Sequence, residues 1–273
     1  MSEDLSFPEM RVPRVESETP QFAARIARAK LGLSPDSPVK NLLNRFEKSG
    51  VFIFTLPYEI EEQDAYSVWA DTEPNRRPVI ILCGVKSGDR QRFSVAHEFG
   101  HLVMHYSFPK GLKQVEKEAD EFAAEFLMPE EAMKREIIPP VTLTSLANLK
   151  VRWGVSISAL LLRARDLDII SERQWKYLHK QKRDRGWNKK EPENLHINPE
   201  KPRAFKKMVE VLHGFPVSAS KVASYNHSPI RIVEEVLAAH ADKPEMPKKE
   251  TTIPIQNNKV VSIFERKNNQ NKV

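Results

Sequence analysis

Two histidines four residues apart are the residues whose spacing most clearly indicates chemistry in this chain. His97 and His101 lie in the stretch Ala-His-Glu-Phe-Gly-His. On an α-helix, residues four positions apart share a face and lie about 6 Å apart along the axis, so both imidazoles can bind one metal ion. Glu98 then lies beside that ion, where a general base for a metal-activated water is needed. The pattern therefore predicts half of a catalytic zinc site.

A match of five residues also arises by chance, and the neighbouring residues allow a second interpretation. Residues 96–104 are apolar enough to form a buried helix. Two core histidines that hydrogen-bond only to the backbone would give the same pattern. A third ligand distinguishes the two interpretations, because catalytic zinc usually has three protein ligands and one position for water.

His105 is the nearest candidate for that third ligand, but the helix geometry excludes it. It lies two turns beyond His97, about 12 Å along the helix axis, whereas a zinc–nitrogen bond is about 2 Å long. We therefore predict that His105 supports the ligands from outside the coordination sphere or lies at the helix end.

Residues 116–129 predict a second helix, which ends before a proline. Its helical periodicity places Glu116 and Asp120 on the apolar face, although a buried, unpaired carboxylate is costly. Glu116 as a metal ligand and Asp120 as the acceptor for a ligand imidazole N–H both explain this placement. Pairing with Arg90 or Arg92 is the alternative. The opposite face, predicted to face solvent, carries Glu118, Glu121 and Glu125.

The two segments together resemble the ImmA/IrrE family of zinc metallopeptidases. Residues 92–105 carry the HExxH helix, and residues 116–129 are similar to the family's downstream Glu-x-x-Ala-(Asn/Asp)-x-Phe-Ala helix. Phe99 stands where the family usually has Leu, and Asp120 where Asn is common. The resemblance implies a site like that of the glutamate-zinc peptidases, with Glu98 as catalytic base and a Zn²⁺ ion bound by His97, His101 and Glu116.

The resemblance also implies a substrate. Family members typically perform limited cleavage of a regulatory protein, such as a DNA-binding XRE-type repressor or an antitoxin, and so relieve repression.

An extended substrate is expected to add to a free strand edge, at Ala65–Trp69 or Val79–Leu82. An oxyanion donor is also expected, from Tyr66 or His105. Other segments between residues 19 and 240 resemble a subgroup often joined to XRE-type helix-turn-helix domains.

The predicted architecture is an α+β, zincin-like core followed by an all-helical region. Two helices, three strands and the two metal-bearing helices make up the core. We predict four parts: a flexible N-terminal arm, a peptidase core, a helical C-terminal region, and a polar tail that holds a weak hairpin at 251–264. Their bounds are 1–18, 19–140, 141–240 and 241–273.

Composition agrees with a soluble, cytoplasmic protein of this kind. Forty per cent of the residues are hydrophobic, which is ample for a core. The single cysteine, Cys83, excludes an internal disulfide and follows a strand-like run, so we expect a small buried core residue. No apolar run reaches the roughly 18 residues that span a bilayer, and the acidic start lacks a signal-peptide pattern.

Positive charge supports a competing hypothesis. The chain carries 43 basic and 37 acidic residues, a net charge of +6, and many of the basic residues lie between 176 and 207. This stretch suggests a nucleic-acid surface on which Trp187 stacks a base. Solvated helix faces, a linker and a packing role for Trp187 are the favoured explanation.

A helix pair at 218–225 and 229–240 adds to that hypothesis. It is consistent with a helix-turn-helix, although an ordinary helical hairpin packed on the core is favoured. The second functional hypothesis is therefore a non-proteolytic, regulatory or toxin-like partner that uses the same fold. Glu98 favours the enzyme, because a pure scaffold does not require that residue.

Overall fold

The computed structural model describes residues 12, 13, 15, 19–60, 63–70, 76–105, 111–188 and 191–240. The predicted tail of residues 241–273, with its hairpin, lies outside these residues, and so does nearly all of the predicted arm of residues 1–18. The boundary at residue 140 between core and helical region stays a prediction.

Three strands and eleven α-helices form the described part of the chain, which confirms the α+β fold class. The strands are β1 (Phe52–Leu56), β2 (Ala65–Ala70) and β3 (Arg77–Cys83). The helices are α1 (Pro20–Lys30), α2 (Leu42–Lys48), α3 (Gly88–Met104), α4 (Leu112–Leu127), α5 (Glu130–Glu136), α6 (Leu143–Trp153), α7 (Ile157–Asp166), α8 (Glu172–Asp184), α9 (Ala204–His213), α10 (Ala219–Asn226) and α11 (Ile230–Ala239).

The strands form one mixed sheet in the order β1-β3-β2. β3 pairs in parallel with β1 and antiparallel with β2, so both of its edges are occupied. The prediction that Val79–Leu82 offers a free edge to substrate is therefore wrong, because sheet order cannot be read from strand-like runs alone. No described strand pairs with the second edge of β2, so Ala65–Trp69 is the remaining candidate.

The two faces of the sheet pack against different partners because side chains alternate along a strand. Ile53 and Ile80, which pair with each other, are fully buried in the main core. Phe52 and Phe54 lie on the opposite face and pack their rings against Phe205 of α9. The sheet is thus covered by the core on one face and by the C-terminal helices on the other.

An aromatic cluster holds α3 against α4. Phe99 of α3 stacks on Phe46 of α2, with ring centroids 4.1 Å apart. It also meets Phe122 and Phe126 of α4 edge to face, at 6.1 Å and 5.9 Å. Such ring pairs add about 0.5–1.5 kcal/mol each beyond the area that they bury. The two helices predicted to carry the metal ligands therefore have a fixed relative position.

Glu125 of α4 is buried, so its predicted place on a solvent-facing side is wrong. Its carboxylate forms an ion pair with Arg163 of α7, and the same guanidinium donates to the Met128 carbonyl at 3.0 Å. Helical periodicity divides α4 into two faces, but α7 covers a third side that periodicity within α4 cannot reveal.

The helices after residue 200 have a small cluster of their own, formed by Val209, Val222, Ala223 and Val233. His240, just after α11, accepts a hydrogen bond from the Thr55 backbone N–H of β1 at 3.1 Å. This contact and the Phe205 rings are consistent with helices that pack on the sheet. Among the described residues, no helix combines the length and apolarity that a membrane span requires.

Trp187 and Cys83 both contribute to the packing of the protein. Trp187 packs against the main core, and the Arg185 guanidinium lies 5.2 Å from the centre of its ring. Cys83 is completely buried, as expected, and burial raises the pKa of its thiol to about 11. The placement of Trp187 favours packing over nucleic-acid stacking, and that of Cys83 agrees with a core residue.

Candidate metal centre

The N-terminus of α3 is held by the later part of the chain. The Gly88 N–H donates to the Ile197 carbonyl at 2.7 Å. A Cβ at Gly88 would lie 2.4 Å from the Asn198 carbonyl oxygen, so only glycine allows this crossing. Asp89, in the first turn, forms a buried ion pair with Lys150 of α6 and complements the helix dipole. These contacts fix the helix that presents the histidines.

Three predicted ligand atoms converge between α3 and α4. The Nε2 atoms of His97 and His101 are 3.0 Å apart. Glu116 Oε2 lies 3.2 Å from His97 Nε2, and Glu116 Oε1 lies 3.5 Å from His101 Nε2. Zinc binds histidine nitrogen and carboxylate oxygen at about 2.0–2.2 Å, so one ion fits between these atoms. Two imidazoles and a carboxylate are also a donor set of catalytic zinc sites.

Asp120 contacts the ring nitrogen of His97 that is not turned toward the other candidate ligands. His97 Nδ1 lies 2.8 Å from Asp120 Oδ1, while Nε2 points toward the other two candidate ligands. Burial lowers the pKa of His97, but the hydrogen bond to Asp120 and its charge outweigh burial, and the net pKa is raised. The side chains of Glu116 and Asp120 are 50 % and 61 % exposed, so their predicted burial is wrong. They lie at the open side of α4, facing the histidines.

Among the described residues, Arg90 and Arg92 do not form the alternative pairs with these two acids. Arg90 forms an ion pair with Asp64. Arg92 donates to Glu200 at 2.7 Å and to the Val39 carbonyl at 2.5 Å. Both arginines are thus engaged elsewhere, and the acids of α4 remain available to the imidazole pair.

Glu98 follows His97 on α3 and is buried, and its charge contributes to raising the pKa of His97. Its Oε2 accepts a hydrogen bond from the Ser67 hydroxyl of β2 at 2.6 Å. Burial raises the pKa of Glu98 to about 7, although the Ser67 hydrogen bond opposes the shift. Sequence reasoning did not identify Ser67, because only the position of β2 against α3 brings its hydroxyl to Glu98.

The structure does not bring Tyr66 to this site. Tyr66 precedes Ser67 on β2, and consecutive side chains of a strand point to opposite faces. Because Ser67 faces α3, Tyr66 faces the other side of the sheet, where burial raises the pKa of its hydroxyl. Its predicted role as an oxyanion donor therefore lacks the required geometry.

His105 lies at the C-terminal end of α3, which is one of the two placements predicted for it. Its ring contacts that of His101. The Nδ1 atoms of the two rings are 2.9 Å apart. His105 Nε2 lies 3.0 Å from Glu118 Oε2, and the Glu118 side chain is only 14 % exposed. The prediction that Glu118 faces solvent is wrong, because the end of α3 covers it.

Gly100 gives the first testable prediction. A Cβ at this position would lie 2.9 Å from the Phe122 ring, so Gly100→Ala pushes α4 away from α3. We expect a loss of about 1–3 kcal/mol in the free energy of unfolding, which is typical of overpacking, and weaker metal binding. Urea unfolding and zinc titration measure the two effects. Gly111→Ala is the control, because a Cβ there meets nothing within 4 Å. Equal zinc affinity in both variants would contradict the prediction.

The fold and the site define a metallopeptidase type of domain, and a family comparison agrees. Residues 46–165 match the model of the Peptidase_M78 family, described as the IrrE N-terminal-like domain. The match runs from α2 into α7 and includes the whole sheet and both helices of the metal centre. This part of the chain is therefore similar to the IrrE N-terminal-like domain of that peptidase family. No curated protein matches the chain significantly.

Proposed function

We propose that this chain is a zinc-dependent endopeptidase that cleaves a regulatory protein at a defined site. One observation carries the proposal: three ligand atoms converge, and the residue directly after the ligand His97 on α3 is a buried glutamate that is not one of the ligands. A structural metal site needs no such neighbour, whereas hydrolysis needs a base beside the ion.

His97, His101 and Glu116 would hold the ion. Bound zinc supplies a Lewis acid and brings the pKa of a water toward 7. Glu98 then accepts the proton of the attacking water and transfers it to the leaving amine. The hydrogen bond from Ser67 holds the Glu98 carboxylate in the orientation that both transfers require.

The β2 edge is the proposed site for substrate backbone. Ser67 of this strand contacts Glu98, so a peptide that pairs with β2 runs past the proposed base. Neither proposed oxyanion donor suits this arrangement, because Tyr66 faces the other way and His105 uses both ring nitrogens within the protein. We therefore assign that role to neither side chain.

The proposed substrate is a cytoplasmic DNA-binding repressor of the XRE type or an antitoxin, whose cleavage relieves repression. The similarity of residues 46–165 to a peptidase family supports a protein substrate. The alternative, a non-proteolytic partner that contacts DNA through residues 176–207, has less support. Lys176 and Lys180 pair with acids on α8, and Lys182 is buried and bonded to Ser158.

Incubation of the zinc-loaded full-length chain with a repressor encoded beside its gene tests the proposal. We expect one defined pair of fragments, and we expect a chelator to prevent their formation and added zinc to restore it. A repressor that stays intact with the zinc-loaded chain, while its DNA binding is nevertheless released, would favour the non-proteolytic alternative.

A further inference from the structure

A line of three side chains runs from the proposed metal centre to the buried side of α4. His101 Nε2 lies among the ligand atoms, and His101 Nδ1 lies 2.9 Å from His105 Nδ1. The second nitrogen of His105, Nε2, lies 3.0 Å from Glu118 Oε2. Every ring nitrogen in this line thus has an assigned neighbour.

The position of the proton on a metal-bound imidazole determines which atom donates in each of these hydrogen bonds. An imidazole that binds a metal through Nε2 carries its proton on Nδ1, so His101 donates to His105. His105 Nδ1 must then be the acceptor, and its proton lies on Nε2. That N–H donates to the Glu118 carboxylate. Only one arrangement of protons satisfies all three contacts.

The hydrogen bonds behind His101 differ from the hydrogen bond behind His97, the other proposed histidine ligand. His97 donates directly to Asp120, which is 61 % exposed. His105 and Glu118, by contrast, are 9 % and 14 % exposed, so water competes little for their hydrogen bonds. The arrangement at His101 is therefore the more rigid of the two.

We propose that His105 and Glu118 are positioning residues that fix the tautomer and ring orientation of His101 for metal binding. Hydrogen-bonded partners behind a ligand histidine typically contribute 10- to 100-fold to metal affinity. The proposal rests on the zinc site assigned above but not on proteolysis.

Zinc affinity, measured by competition with a chromophoric chelator, tests the proposal. We expect Glu118→Ala to weaken binding about 10- to 100-fold. Glu118→Gln should weaken binding less, because its amide oxygen still accepts from His105. Glu121→Ala is the matched control on α4, since Glu121 contacts Gln21 and Lys117, and its affinity should equal that of the unmodified chain.

Histidine nitrogen NMR of the zinc-loaded, unmodified chain is a second readout that needs no variant. We expect the proton of His101 on Nδ1 and that of His105 on Nε2. A proton on His105 Nδ1, or full zinc affinity in Glu118→Ala, would overturn the proposal. A chain that binds no zinc overturns this proposal and the peptidase together. A chain with the expected tautomers that cleaves no protein supports the positioning role and contradicts only the peptidase.

Discussion

We expect the replacement of Glu98 by Gln to lower the rate of protein cleavage by about 100- to 10,000-fold and to leave zinc binding intact. This range is typical for the loss of a general acid–base group. Gln has nearly the same shape, and its amide oxygen still accepts the hydrogen bond of Ser67, so the fold and the ligand atoms stay in place. It has no carboxylate to accept the proton of the attacking water.

Fragment yield against time, with zinc content measured on the same samples, checks this expectation. Glu121→Gln is the control, because it removes an acid of α4 that lies outside the ligand group. Cleavage and derepression that continue in Glu98→Gln would mean that the base lies elsewhere. Derepression that continues without cleavage would favour the non-proteolytic partner.

We expect the replacement of Arg163 by Met to lower the free energy of unfolding by about 3–5 kcal/mol, because it leaves a buried carboxylate without its partner. Glu125 and Arg163 are both buried, and the guanidinium also satisfies the Met128 carbonyl. Arg25 lies 3.9 Å from Glu125 but is largely exposed, so it compensates only in part.

Urea unfolding of three variants separates charge from packing. Arg163→Met should show the full loss, and the double variant Arg163→Met/Glu125→Leu should recover most of it, since an apolar pair needs no partner. Arg165→Met, a more exposed neighbour on α7, should lose less than about 1 kcal/mol. A loss below about 1 kcal/mol in Arg163→Met itself would contradict this view of the core.

The candidate metal centre could be predicted from the sequence because the spacing of its histidines is local. His97 and His101 share a helix, so helical periodicity alone places them together. Glu116 came from a second local pattern and from a family resemblance. The α+β class likewise followed from runs of strand and helix type, which the structure confirms.

The features that depend on three-dimensional neighbours were missed. Glu118 and Glu125 look solvent-facing on α4 alone, and only His105 and Arg163 show why they are buried. Ser67 reaches Glu98 only because β2 packs against α3. The strand order places β3 in the centre of the sheet, so β3 has no free edge to which a substrate could add. Each of these facts joins segments that sequence patterns treat one at a time.

X-ray absorption at the zinc edge, combined with zinc content, tests the central claim most directly. The account predicts about one zinc ion per chain, bound by two imidazole nitrogens and by oxygen at about 2.0–2.2 Å. It also predicts that Glu116→Ala loses one of these ligands and most of the affinity. A sulfur ligand from Cys83, or an unchanged spectrum and zinc content in Glu116→Ala, would contradict it.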